Sequence, residues 1–208
     1  MRKLLLGLAA SSVLVAAGAA NASINVSYWI NQSGVAQNAT IANIQALGAA
    51  SGSGTVNAIN FSTGNSDATS IDSWLGVSTG ANGGHAMDNT VFLFTGSAFL
   101  HAGVNNLSVA HDDGLQIHFD GIAGFPVNQP GPTAPTTTAF TVTAPSAGTY
   151  NFELGYGECC GGPAVLQITL NQQALSGTPE PATWGLMLVG FGGLGAMLRR
   201  RRSVALAA

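Results

Sequence analysis

Between Ser23 and Gly177 the chain has no lysine and no arginine. Its six basic residues are Arg2 and Lys3 at one end and Arg199, Arg200, Arg201 and Arg202 at the other. The same stretch keeps eight of the nine acidic residues: Asp67, Asp72, Asp88, Asp112, Asp113, Asp120, Glu153 and Glu158. The formal charge of −3 for the whole chain therefore conceals a body of −8. Binding of nucleic acid rests on Lys and Arg neutralising phosphate, so that class of partner is excluded. Nucleotides and anionic polysaccharides are disfavoured for the same reason unless a cation bridges. An all-negative body suits cations or neutral sugars. Other absences narrow the chemistry further. No serine sits in a nucleophile-elbow context and no metalloprotease motif occurs. The two cysteines are adjacent, with no second pair or clustered histidines to complete a zinc site. We assign no catalytic residue from the sequence.

The two ends read as address labels. Arg2 and Lys3 precede an almost wholly apolar run from Leu4 to Ala17, and Ala20-Asn21-Ala22 then offers small residues for cleavage before Ser23. This is the pattern of a secretory signal peptide over residues 1–22. At the other end, residues 182–198 carry no charge and are mostly Leu, Met, Val, Phe, Trp, Ala and Gly. Seventeen residues at about 1.5 Å each span about 25 Å, the short end of what crosses a bilayer. The four arginines that follow at 199–202 resist translocation, which keeps residues 203–208 cytoplasmic and puts the body on the far side.

Pro179-Glu180-Pro181 stands immediately before the apolar run. Triplet, Gly-rich apolar helix and basic cluster, in order over residues 177–202, resemble the PEP-CTERM sorting signal. The resemblance implies recognition by an exosortase after passage through the secretion machinery. It also implies an inner-membrane intermediate, cutting near the triplet, and delivery to the cell envelope surface or the extracellular matrix. The prolines fit this, because they block helix continuation and hold an extended segment above the membrane.

The body, residues 23–176, is long enough for one domain with a real core. Ile24, Val26, Tyr28 and Ile30 alternate with polar neighbours and predict a strand. Ile41, Ile44 and Leu47 predict one short helix over 37–47 with Gly48 as its C-cap. Residues 55–61 predict a strand. Further strands are expected at 91–94, 98–101, 106–111, 115–120, 139–143, 149–156 and 165–170. Four prolines make 124–138 a surface loop. The expected class is all-β: an antiparallel, jelly-roll-like β-sandwich with one short helix.

Asp112-Asp113-Gly114 separates two of these strands. Keeping Leu107, Val109 and His111 on the same face as Leu115, Ile117 and Phe119 demands a three-residue hairpin loop. Gly114 then occupies its left-handed last position, and both aspartates stand at an exposed tip. Two carboxylates there suit a hard cation such as Ca²⁺. Asp-Asp-Gly is equally a good turn former in its own right.

Residues 106–121 (NLSVAHDDGLQIHFDG) and 148–170 (GTYNFELGYGECCGGPAVLQITL) resemble the protective-antigen-type β-sandwich, a module shared with yeast flocculins and related adhesins. In its lectin members the paired aspartates coordinate Ca²⁺ that holds sugar hydroxyls, which implies that role for Asp112 and Asp113. The second ligand loop falls at 157–163, where this chain departs from the lectin pattern with Glu158, Cys159 and Cys160. For an exported protein an oxidised pair is favoured, as a vicinal disulfide or a cross-link between chains, with free thiols as the remaining alternative. The expected function is a non-catalytic carbohydrate-binding or adhesion module on the cell surface or in the exopolysaccharide matrix, with neutral carbohydrate as partner. A purely structural biofilm-matrix protein is the first alternative. A secreted glycan hydrolase, with Glu153 or Glu158 forming an acid/base pair with an aspartate, is the second.

Overall fold

The computed structural model describes residues 23–64, 68–177 and 191. The expected signal peptide, sorting triplet, apolar span (Phe191 apart), arginine cluster and tail lie outside the described residues. Among those described, no helix is long and apolar enough to cross a membrane. The chain divides into two units: Asn21–Pro179, and the terminal stretches Met1–Ala20 with Glu180–Ala208.

The larger unit is an antiparallel β-sandwich. Its strands are β1 (Ile24–Trp29), β2 (Gly52–Val56), β3 (Asn60–Ser62), β4 (Thr90–Leu100), β5 (Gly103–Asp112), β6 (Leu115–Phe119), β7 (Val127–Gln129), β8 (Thr136–Ala144), β9 (Gly148–Glu158), β10 (Val165–Leu170) and β11 (Gln173–Ala174). Three short helices join them: α1 (Ser33–Ala36), α2 (Ile41–Gln45) and α3 (Ile71–Leu75). One sheet has the order β2-β1-β4-β9-β6-β7 and the other β11-β10-β5-β8, with β3 also paired to β10.

Period-two burial explains the layering. Phe92 and Phe94 of β4, Leu115, Ile117 and Phe119 of β6, and Phe152, Leu154 and Tyr156 of β9 all turn inward. They meet Leu107 and Val109 of β5 and Leu166 and Ile168 of β10 from the other sheet. Trp74 of α3 closes this core. Its ring stacks on Tyr156 at 5.5 Å and its indole N–H donates to the Ala164 carbonyl at 3.2 Å. Ser70 caps α3 by accepting from Ser73 N, and Gly76 ends it at φ +69°. On the outer face of the larger sheet, α1 and α2 lie against β9. Gly155 and Gly157 permit this, because a Cβ at either would strike Ala36, Ala39 or Ile44.

Several boundaries differ from the sequence reading. The single expected helix is two, with Thr40 capping α2 and Ala46, not Gly48, at its C-cap. Ile71–Leu75, where no element was expected, is a third helix. The strand expected at 55–61 is β2 and β3, while 91–94 and 98–101 fuse into the 11-residue β4. Inside the proline-rich segment, β7 pairs with β6.

The main correction concerns Asp112-Asp113-Gly114, which is not a hairpin tip. β5 and β6 do not pair with one another. β5 pairs with β10 and β8, and β6 with β9 and β7. The segment carries the chain from one sheet to the other, so Leu107 and Phe119 share a core from opposite layers rather than one face of a ribbon. Gly114 has no left-handed φ either. It is a glycine because the backbone of the 130–131 segment passes directly over it: a Cβ would run into the Pro130 carbonyl and lie 2.8 Å from the Gly131 oxygen.

Candidate functional site

Three sheet-to-sheet crossings gather at one end of the sandwich. β5 leaves the smaller sheet at Asp112 and enters the larger at Leu115. The chain returns between Gln129 of β7 and Thr136 of β8, and again between Glu158 of β9 and Val165 of β10. The register puts these ends side by side: Asp112 opposite Val165, His111 opposite Thr136, and Leu115 opposite both Gln129 and Tyr156.

Asp113 ties the crossings together. Its Oδ1 accepts the Thr133 N–H at 3.0 Å and its Oδ2 the Cys159 N–H at 2.8 Å. The carbonyls of the Asp-Asp-Gly segment are all engaged. That of Asp112 accepts from the Tyr156 hydroxyl, that of Asp113 from His111 Nδ1–H at 2.6 Å, and that of Gly114 from Gly157 N at 2.9 Å. A carbonyl can only accept, which places the proton of His111 on Nδ1. The His111 Nε2 lies 2.9 Å from the Gln129 amide oxygen. The Asp112–Asp113 peptide bond is cis, as is Gly162–Pro163 in the third crossing.

Both aspartates are buried, each with 3 % of its surface exposed. The expectation of an exposed tip is thus corrected: the crossings fold over the segment and leave one groove beside it. This groove, of about 430 Å³, has Asp112 and Asp113 on one side, Pro132 to Pro135 on another, and Cys160 to Gly162 on a third. Burial, then the adjacent Asp113 carboxylate, push Asp112 up from 3.8 to about 7. No lysine or arginine stands among the described residues to offset the pair.

Of the expected ligand loop, Cys159 and Cys160 form a vicinal disulfide. Cys159 is buried among Trp29, Ala36, Ala39, Ile44 and Val91, while Cys160 is exposed on the groove wall at φ +67°. Asp113 and both sulfurs lie within 4.8 Å of one another. A disulfide offers no thiolate, so this trio is no soft-metal site in the oxidised protein. Glu158 is not a loop residue but the last of β9. It is fully buried, and its Oε2 lies 2.7 Å from the Tyr156 hydroxyl, whose one proton it shares with the Asp112 carbonyl. Burial, then Glu158, hold the Tyr156 phenol protonated well above its ordinary 10.0.

Glu153 and Glu158 are five positions apart on one regularly paired strand, an odd offset, so they face opposite sides of the sheet. Glu153 accepts from Gln45 of α2 on the outer face. The two glutamates therefore do not pair with each other as acid and base. Sequence reasoning missed Thr133, Gln129 and Tyr156. Tyr156 was legible in principle, two residues before Glu158 and so on its face. Thr133 lay in a segment read only as loop.

A protein-family model, the PEP-CTERM protein-sorting motif, matches residues 178–202. The chain is exported. It passes through a membrane-anchored intermediate, is sorted by an exosortase, and reaches the cell surface or extracellular matrix. No curated protein matches the chain. Among solved structures, the PA14 domain of the MpAFP antifreeze protein is similar, with TM-score 0.60 and 21% identity over 74% of this chain and 85% of that one. The PA14 sugar-binding domain from an RTX adhesin is also similar, with TM-score 0.56 and 19% identity over 76% of this chain and all of that one. An anti-sigma factor domain-containing protein shares the fold at TM-score 0.52 and 12% identity, over 77% of this chain and 49% of its own. These likenesses establish the sandwich fold.

Proposed function

We propose that the sandwich is a non-catalytic module that binds neutral carbohydrate outside the cell, through a hard cation such as Ca²⁺ held by Asp112 and Asp113. One observation carries this reading. Two adjacent, desolvated carboxylates border a groove in a domain with no lysine or arginine to neutralise them. Such a pair is unfavourable when both members are ionised, and a divalent cation relieves it. The donor set fits: Asp113 spends one lone pair of each oxygen on a backbone N–H and keeps the other, and the atoms are hard oxygens. Bound there, the ion would supply open coordination positions for vicinal hydroxyls. The sugar-binding description of the similar RTX adhesin domain supports the same reading.

Thermal melts and a glycan array test it. Ca²⁺ at about a hundred times its dissociation constant stabilises by about 2.7 kcal/mol. For a domain of this size that raises Tm by about 5–10 °C. The Ca²⁺-dependent part of the glycan signal should vanish in chelator and in Asp112→Asn. An unchanged Tm at millimolar Ca²⁺, together with no Ca²⁺-dependent glycan signal, would refute the proposal.

A further inference from the structure

The outer face of the smaller sheet carries a feature that the aspartate groove does not use. Register aligns outward residues of three strands: Thr141 of β8 beside Asn106 of β5, and Ala139 of β8 beside Ser108 of β5 beside Thr169 of β10. Asn106, Ser108, Ala139 and Thr141 are exposed. They line a trough of about 660 Å³ together with Thr169, Gln172 and the apolar Leu107, Pro126 and Phe140. That volume lies within the range of small-ligand clefts. The trough is about 13 Å along β5 from Asp112, four residues at 3.3 Å each. Its polar side chains are hydroxyls and amides, and no charged residue lines it although the body carries −8.

Gln172 is held there against its own preference. With Asn171 it forms the two-residue turn between β10 and β11, at φ +50° and +70°. Two positive φ values mark a type I′ turn, in which glycine at the second position is favoured. A glutamine in this region is uncommon, and glycine would adopt it without strain. Asn171 locks the turn to β5: its Oδ1 accepts from Asn106 N at 2.9 Å and its Nδ2 donates to Asn105 Oδ1 at 2.9 Å. What glutamine adds over glycine is an amide in the lining of the trough.

We propose that this trough is a second binding site, independent of any cation, for an uncharged polysaccharide chain. Neutral hydroxyl and amide groups on a concave face match a polyhydroxylated, uncharged ligand. The absence of charge gives an anionic or cationic polymer no partner, and the apolar lining residues are buried (Leu107) or half-buried (Pro126, Phe140), which gives a protein hot spot or lipid little to bury.

The test is electrophoresis of the exported protein through native gels containing amylose, a β-1,3-glucan or a galactomannan, all with chelator. Wild type should be retarded by at least one of the three, and Asp112→Asn equally so. Gln172→Gly should keep or raise Tm yet weaken retardation about tenfold, and Thr141→Ala should weaken it while leaving Tm unchanged. A purely structural Gln172 would not produce that opposition. The proposal fails if no gel retards the protein in chelator, or if Gln172→Gly and Thr141→Ala migrate as wild type. Retardation that needs Ca²⁺ and disappears in Asp112→Asn would also overturn it, while upholding the aspartate site.

Discussion

Asp112→Asn, followed across pH without cation, examines the electrostatics of the groove directly. In the folded protein Asp112 gives up its proton at about 7, against an ordinary 3.8. Below 3.8 the carboxyl is neutral folded or unfolded and contributes nothing. Between the two values the unfolded chain ionises while the folded one holds its proton, so stability falls as pH rises, and it levels off above about 7. The full difference corresponds to about 4 kcal/mol. The groove wets Asp112 from one side, and solvent screening reduces that to about 2 kcal/mol. Asparagine keeps the shape and cannot ionise. In chelator, Asp112→Asn should therefore match wild type near pH 4 and exceed it by about 4–8 °C in Tm at pH 8. Calorimetry of both proteins from pH 4 to 8 reads the difference. Parallel profiles would refute the reasoning, since they would mean that burial and Asp113 do not act on Asp112.

Gly114 offers a second discrimination. If close approach rather than a left-handed turn selects glycine, Gly114→Ala and Gly114→Asn should both destabilise by about 1–3 kcal/mol, read by denaturant melts. Tolerance of Asn alone would restore the turn explanation. Tyr156→Phe removes the hydroxyl that serves the Asp112 carbonyl and Glu158, and should cost about 1–3 kcal/mol by the same measurement. Replacing Pro179-Glu180-Pro181 with alanines should leave an uncut form in the membrane fraction on immunoblots. Normal release would show that the triplet is not what the sorting enzyme reads.

Strand existence was legible because β4, β6, β9 and β10 carry strong inward alternation, and β10 matches its expected span residue for residue. Pairing was not. Alternation fixes which face of a strand is buried, but the two sheets of a sandwich present the same inward code. Leu107, Val109 and His111 are buried against Leu115, Ile117 and Phe119 equally well as a ribbon or as opposing layers. Contiguity in sequence favoured the ribbon, and long-range pairing of β6 with β9 overrode it. The same override put β7 inside the proline-rich stretch, with prolines at 126 and 130 flanking the strand rather than breaking it.

The sequence made the two aspartates look equivalent, and the fold separates them. Asp113 spends both oxygens on backbone N–H groups of the two neighbouring crossings, so it shapes the groove whether or not a ligand arrives. Asp112 has its carbonyl held by Tyr156, while its carboxylate is raised by burial and by Asp113. It follows that Asp113→Asn confounds any binding experiment. It gives up an acceptor, leaves Thr133 N or Cys159 N facing an amide hydrogen, and loosens the Cys160 wall even if no cation ever binds. Asp112→Asn keeps those bonds, so loss of a Ca²⁺ response there speaks to the ion alone. The difference arises from distant chain, at positions 133 and 159, closing over 112 and 113 from both sides, and local spacing cannot encode it.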